Sequence, residues 1–267
     1  MFWVRLRSSA ILMVITIATI LLGGRVMFGV VLAISLIGTM ELYRIMKVHS
    51  CAPGFIGYAA VIAYDFLILF EKEEFRFELI IIFLLMLLFV YVIRFPQYTS
   101  EQITMVFFGL FYVGVMLSYL YRIRILEDGA FLIWLVFIGS WGSDTCAYCV
   151  GMAFGKHKAT PHLSPKKTVE GCIGGVVGAA LLGLLYGSIF QGHMNAIHNP
   201  QIACMVMCGA ASVISQIGDL AASAIKRNHE IKDYGKLIPG HGGILDRFDS
   251  VIVTAPIVYM LAVMMKI

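Results

Sequence analysis

Residues 171–218 read GCIGGVVGAALLGLLYGSIFQGHMNAIHNPQIACMVMCGAASVISQIG, 48 positions without one Asp, Glu, Lys or Arg. A helix needs about 20 mostly apolar residues to cross the hydrocarbon core of a bilayer. This run therefore holds two crossings, parted at the polar stretch Gln191–Gln201 (QGHMNAIHNPQ). Its apolar residues are continuous rather than alternating, which excludes a transmembrane β-barrel. Working outward, charge-free runs lie at 8–24, 26–40, 48–64, 79–93, 102–121 and 250–265, and the run 129–155 is broken only by Asp144. The reading is an all-α polytopic membrane protein of about nine transmembrane helices, the first two short and joined through Gly23-Gly24-Arg25.

Composition agrees. Of 267 residues, 60% are hydrophobic and 13% charged, with a mean hydropathy of +0.89. A soluble domain carries roughly a quarter charged residues, so a soluble globule, a disordered chain and a secreted disulfide scaffold are all disfavoured. The net charge of +4 is spread over short loops and offers no basic patch, so no nucleic-acid partner is expected. Cys146 and Cys149 form a C-x-x-C in mid-span without a second pair, and the six cysteines read as small buried residues. The N-terminal MFWVRLRSSA is basic ahead of an apolar stretch, as a signal peptide is. No small-x-small cleavage site follows and a second apolar run starts after Arg25, so it reads as a retained first span.

Lys and Arg set the expected orientation. With the N-terminus cytoplasmic, 14 of them, Arg5 among them, fall on inner segments and 6 on outer ones. The large inner loops are then 156–170 and 226–247. Residues 1–125 read as five N-terminal spans acting as scaffold, and 126–267 as a catalytic region of four spans carrying both loops. In the first half, Glu41 and Arg44 read as an interfacial ion pair one turn apart. Asp65, near the outer end of its span, reads as solvated.

The second half is different. Asp144 sits near the middle of an apolar run, where an aspartate costs on the order of 2.5–3.5 kcal/mol to insert, so it needs a partner or a task. The small residues around it, GSWGSDTCAYCVGMAFG, permit close helix packing. In the following loop, Ser164, Lys166, Lys167 and Thr168 put hydroxyls and compact positive charge beside a helix start, with Pro165 fitting the first helical turn and Glu170 within it. That composition suits phosphate oxygens at a helix N-terminus; a positive-inside loop touching lipid headgroups accounts for it equally well. There is no Walker loop.

The densest segment is 215–249. Asp219 is followed by Ser223, Lys226 and Arg227 at spacings of four, seven and eight, so a carboxylate in the span shares one helix face with hydroxyl and cationic groups. Pro239-Gly240 and His241-Gly242-Gly243 form a loop able to approach a ligand closely. Asp246 and Asp249, flanking Arg247, open the last span. Carboxylates drawn from separate helices suit Mg²⁺, which takes one or two of them plus substrate phosphates. Salt bridging among Asp219, Asp246, Asp249, Lys226 and Arg247 is the plainer reading, but so many ionisable groups beside two spans favour function.

The stretch Ser223–Asp249, SAIKRNHEIKDYGKLIPGHGGILDRFD, resembles the signature of phosphatidate cytidylyltransferases (CDP-diacylglycerol synthases). Asp144 within SDTCAY, the LSPKKTVEG loop and QIGDL resemble other segments of that family, and ELYR at the end of the second span does so more weakly. The resemblance implies transfer of the cytidylyl group of CTP to phosphatidic acid, giving CDP-diacylglycerol and pyrophosphate. It also implies Mg²⁺ with a second cation, for which K⁺ is the candidate, and a homodimer; GCIGGVVGAALLG offers small-residue helix faces for one. On this reading Asp219 and Asp246 hold metal, with Asp144 and Asp249 as further ligands or supports. Lys166, Lys167, Lys226 and Arg227, helped by Ser164, Thr168 and Ser223, bind the triphosphate or the lipid phosphate. Arg247 orients carboxylates, and His241 contacts phosphate or balances protons. A cytidylyltransferase for ether-lipid phosphates is the neighbouring alternative, and a cation transporter the distant one. A compact nine-span chain fits a bacterial inner membrane, with the site facing the cytoplasm.

Overall fold

A computed structural model describes residues 2–161 and 163–266, without the side chains of Phe2, Val4 and Arg5. Arg5, counted above among the inner charges, therefore has its side chain outside the described residues. Nine helices run α1 (Phe2–Leu22), α2 (Gly24–Ile45), α3 (Ala52–Leu69), α4 (Arg76–Ile93), α5 (Ser100–Arg124), α6 (Gly129–Phe154), α7 (Val169–Phe190), α8 (Pro200–Asn228) and α9 (Leu245–Met264) among the described residues. Helices α2 to α9 are each long and apolar enough to cross a membrane, and α1 contributes a shorter apolar run, Leu6–Leu22. The protein is a nearly all-helical integral membrane protein, as its composition demands. One expectation fails: the first two helices are not short. Glu41-Leu42-Tyr43-Arg44-Ile45 continues α2 for a further turn beyond the charge-free run, since straight-chain charged residues such as Glu and Arg are good helix formers at a span's end. Gly23 (φ 58) and Gly24 (φ 49) break the helix between α1 and α2 in a left-handed conformation that glycine alone adopts freely.

The helices sort into two compact units. The first comprises residues up to Tyr121 together with Asp233–Arg247. Its core is organised around Tyr43, which is fully buried and donates its hydroxyl proton to the Val106 carbonyl at 2.8 Å. Gly57 and Gly109 leave the space this ring occupies, since a Cβ at either would collide with it. Phe28 and Phe66 meet edge-to-face at 5.3 Å, closing the α2–α3 hairpin. A capping box of Thr99 and Gln102 starts α5, and the Gln102 amide also donates to the Met46 carbonyl. Apolar side chains on α4, among them Phe77, Leu85, Phe89 and Val92, are exposed, as a lipid-facing helix requires. Asp65 departs from expectation. It is 3% exposed, and neither carboxylate oxygen has a hydrogen-bond partner among the described residues, because the face it occupies on α3 also carries buried Val61, Tyr64 and Ile68.

The second unit comprises Arg122–Lys232 and the chain from Phe248 onward. Here α7 carries a buried stripe of small residues at every fourth position: Gly171, Gly175, Ala179, Gly183 and Gly187. A Cβ at Gly178 would lie 2.6 Å from the Cys146 side chain on α6, and one at Gly183 would lie 2.8 Å from Cys208 Cβ on α8. The stripe thus packs within the chain, while Ile173, Val177 and Leu181 of the same segment are exposed. Ser143 and Ser212 share a 2.6 Å hydrogen bond between α6 and α8. Of the C-x-x-C pair, Cys149 is exposed, whereas Cys204 and Cys208 are buried. A π-helical turn, Ile138–Gly142, interrupts α6 immediately before Asp144.

The segment expected to begin a helix at Pro165 is instead a hairpin. Strands β1 (Lys158–Thr160) and β2 (Ser164–Thr168) pair antiparallel, with Lys158 opposite Thr168 and Thr160 opposite Ser164. Proline's fixed φ suits an extended strand at an edge as well as a helix start. The helix begins only at Val169, where the Thr168 hydroxyl caps it by accepting from the Gly171 amide at 3.2 Å.

Candidate active site

The hairpin brings its cation to α8. Lys167, on β2, forms an ion pair with Asp219, with side chains 23% and 30% exposed respectively. Two residues that the sequence placed in one site therefore meet, with the lysine ammonium buried against the carboxylate. Ser164 is half-buried, Lys166 exposed and Thr168 buried; Thr168 is committed to its cap. Glu170 reaches back over the hairpin's entry, where its carboxylate accepts from the Lys156 amide at 3.1 Å and meets His157 Nδ1 at 2.6 Å. That bracing fixes where the lysine-bearing strands leave α7.

Asp219, Ser223, Lys226 and Arg227 all lie on the single continuous helix α8, as their spacing requires. At 29 residues this helix is about 43 Å long, more than a ~30 Å hydrocarbon core, so its last turns with Lys226 and Arg227 can project beyond the core. Asp144 is exposed on α6. Asp249 is 9% exposed, and its Oδ1 accepts from the Ser250 amide at 2.8 Å.

In the first unit the loop 233–244 is folded around two carboxylates. Asp246 is 6% exposed, and its Oδ2 accepts from the amides of Tyr234 (2.8 Å) and Gly243 (2.9 Å). Glu41, on α2, is 2% exposed, and its two oxygens accept from the amides of Ile244 (3.1 Å) and Leu245 (2.9 Å). Glu41 is thus not the exposed partner of Arg44 expected from its position. An anion set on the unsatisfied N–H groups of a helix is favoured by both hydrogen bonding and the helix dipole. Gly240 (φ 79) and Gly242 (φ 89) supply the left-handed turns of the loop, and a hydrogen bond from the Ile238 amide to the Gly242 carbonyl closes it at 2.8 Å. Helix α1 touches it twice. Ser8 Oγ donates to the Pro239 carbonyl at 3.0 Å, and Ser9 Oγ lies 3.2 Å from His241 Nε2. Arg247 Nε is buried without a hydrogen-bond partner among the described residues.

Sequence reasoning read Glu41 as half of an interfacial ion pair and passed over Ser8 and Ser9. A signal for Glu41 existed: it lies three residues beyond Gly38, on the α2 face that buries Ser35, Gly38 and Leu42. Among the described residues no three His, Cys, Asp or Glu side chains gather into a ready-made metal cluster. The donors present are hard carboxylate oxygens, and Asp219 already lies against a cation. Such a set fits Mg²⁺, which keeps water and substrate phosphates as its other ligands.

These features define a class: a nearly all-helical membrane protein that carries a lysine–aspartate pair on its hairpin and α8 and, in its other unit, a glycine-turned loop held by carboxylates. The chain belongs to the cytidylyltransferase family, which it matches over residues 3–265. It is 32% identical over 262 residues to the phosphatidate cytidylyltransferase of Bacillus subtilis, covering 95% of each chain. Similarity extends to the phosphatidate cytidylyltransferases of Rickettsia felis, 35% identical over 62% of this chain and 74% of that one, and of Staphylococcus epidermidis, 38% identical over 57% and 56%.

Proposed function

We propose that the protein transfers the cytidylyl group of CTP to phosphatidic acid, giving CDP-diacylglycerol and pyrophosphate for phospholipid biosynthesis. The family and the names of its relatives support this reading. The structural observation that supports it is the largely buried Lys167–Asp219 pair, where a cation and a carboxylate could exchange each other for a substrate phosphate and a metal.

In this mechanism a phosphatidate oxygen attacks the α-phosphorus of CTP and pyrophosphate leaves, with no protein nucleophile. Such transfers depend on positioning and charge neutralisation. Asp219 and Asp246, supported by Asp144 and Asp249, would hold Mg²⁺ and a second cation, K⁺ being the candidate. When bound, the metal neutralises charge on the attacking and leaving oxygens. Lys166, Lys167, Lys226 and Arg227 bind phosphates of the two substrates. Ser164, Thr168 and Ser223 add hydroxyls, although the cap made by Thr168 leaves it the smallest share. His241 contacts phosphate from its glycine-rich turn, and Arg247 orients the neighbouring carboxylates. The site faces the cytoplasm, where CTP is made, and the membrane is the inner membrane of a bacterium. A homodimer belongs to the same proposal and rests on the family resemblance, because the small-residue stripe of α7 is filled internally. Neither an ether-lipid acceptor nor cation transport is favoured by the comparisons.

The test uses purified protein in detergent with phosphatidic acid and CTP labelled at the α-phosphate, with and without Mg²⁺. Metal-dependent label in a lipid-soluble product, with pyrophosphate released, is expected. Label that stays in water while the protein is folded would overturn the reading.

A further inference from the structure

We infer that Glu41, nearly two hundred positions before the loop it holds, is a positioning residue for the reaction proposed above, on whose reading this inference rests. Four observations converge on it. The side chain is 2% exposed, so it acts within the protein rather than at a surface. Each of its oxygens takes a separate amide, Ile244 and Leu245, at the point where the loop turns into α9. Gly235 and Gly243, from the two ends of the loop, both approach the carboxylate so closely that a Cβ at either would overlap it. Finally, Gly243 donates its own amide to Asp246 Oδ2. The backbone from Gly243 to Leu245 is therefore clamped on successive residues by two carboxylates, one from α2 and one from α9.

This clamp has a direction. Asp246 alone closes a local ring, from Tyr234 and Gly243 to the first turn of α9, and could keep that ring while the whole loop drifted. Glu41 ties the ring to α2, whose neighbouring Tyr43 is locked by Gly57, Gly109 and the Val106 carbonyl. The loop carrying His241, and with it Asp246 and Arg247 in the first turn of α9, thus inherits its position from the packed core around Tyr43. Arg44, one turn further along α2, is exposed and acts on Glu41 only through its charge, whereas the backbone amides of Ile244 and Leu245 hold the carboxylate directly.

The test compares full-length wild type, Glu41→Ala and Glu41→Gln in detergent. It measures kcat and KM for CTP and phosphatidic acid, and amide hydrogen exchange by peptide. Folded fraction is read from exchange across α7 and α8, and kcat is expressed per folded molecule. Glu41→Ala is expected to lower kcat about 100-fold, the scale of a small misplacement of reacting groups, with little change in KM for CTP. Peptides covering 243–246 should lose protection while α8 keeps it. Gln retains one acceptor oxygen and turns an amide N–H₂ toward the other backbone N–H, so Glu41→Gln should fall between the two. Wild-type kcat in either variant would overturn the inference, as would a lowered kcat with protection at 243–246 unchanged. Should Glu41→Ala not fold, Glu41→Gln alone decides by the same criteria. If the wild type itself makes no lipid product, the proposed reaction fails, whereas the exchange result still decides whether Glu41 holds the loop.

Discussion

Consider replacing both partners of the Lys167–Asp219 pair, singly and together, with Met and Asn. At an effective dielectric of about 20, opposite charges 4 Å apart attract by about 4 kcal/mol. Against that stands about 2 kcal/mol of lysine rotamer entropy and the partial desolvation of both groups. Fully exposed pairs contribute about 0.2–1 kcal/mol and broken buried ones cost about 3–5. With side chains 23% and 30% exposed, the pair falls between these, at about 1–2 kcal/mol by the same arithmetic. For a chain of this size each kcal/mol moves the melting temperature by about 2–4 °C. Lys167→Met and Asp219→Asn should therefore each lower it by about 2–8 °C, and the double variant should lose less than the sum of the two. The assay is thermal unfolding of purified protein in detergent with EDTA, so that no divalent cation can replace the ammonium. A coupling energy under about 0.3 kcal/mol, the scatter expected of independent sites, would refute the pairing and the reading of hairpin and α8 as one site.

Three further outcomes are expected. Asp219→Ala or Asp246→Ala should reduce turnover to background while the protein still inserts and elutes as wild type; normal activity in either would remove it from the metal set. Asp65→Leu should raise the melting temperature, because an unsatisfied buried polar group costs about 1–3 kcal/mol, and a fall would reveal a partner or a task for that carboxylate. Gly178→Leu should cost several degrees of melting temperature or abolish folding outright, since even a Cβ there meets Cys146 at 2.6 Å and overpacking costs about 1–3 kcal/mol or more.

The spans were legible because hydrocarbon imposes a length and a composition on each crossing, and both can be counted along the chain. The polar cluster on α8 was legible for a similar reason: Asp219, Ser223, Lys226 and Arg227 share a face by helical spacing alone, whatever they pack against. What escaped reading depends on partners distant in sequence. Glu41 differs from any interfacial glutamate only because residues 244 and 245 place their amides on it, and no local period encodes that. Asp65 is four positions from the end of α3, where solvation was the natural reading; its burial follows from what neighbouring helices cover. The hairpin at 158–168 was missed for a different reason. Pro165 is compatible with either a strand or a first helical turn, Ser164 is as good a cap by residue type as Thr168, and it is the pairing of 164–168 with 158–160 that leaves the helix to start at the Thr168 cap.

The clamp on the loop also constrains how the chain is made. Ribosomes deliver α2 long before α9, so the carboxylate of Glu41 is in place while the amides that will satisfy it have yet to be synthesised. Until Ile244 and Leu245 arrive, that carboxylate must remain hydrated or find a temporary donor, which keeps the early helices from closing completely around it. The last part of the chain thus finishes a core that the first part began. A chain stopped before residue 244 should accordingly be recognised as incomplete by quality-control proteases, even though all of the described helices but α9 have been made.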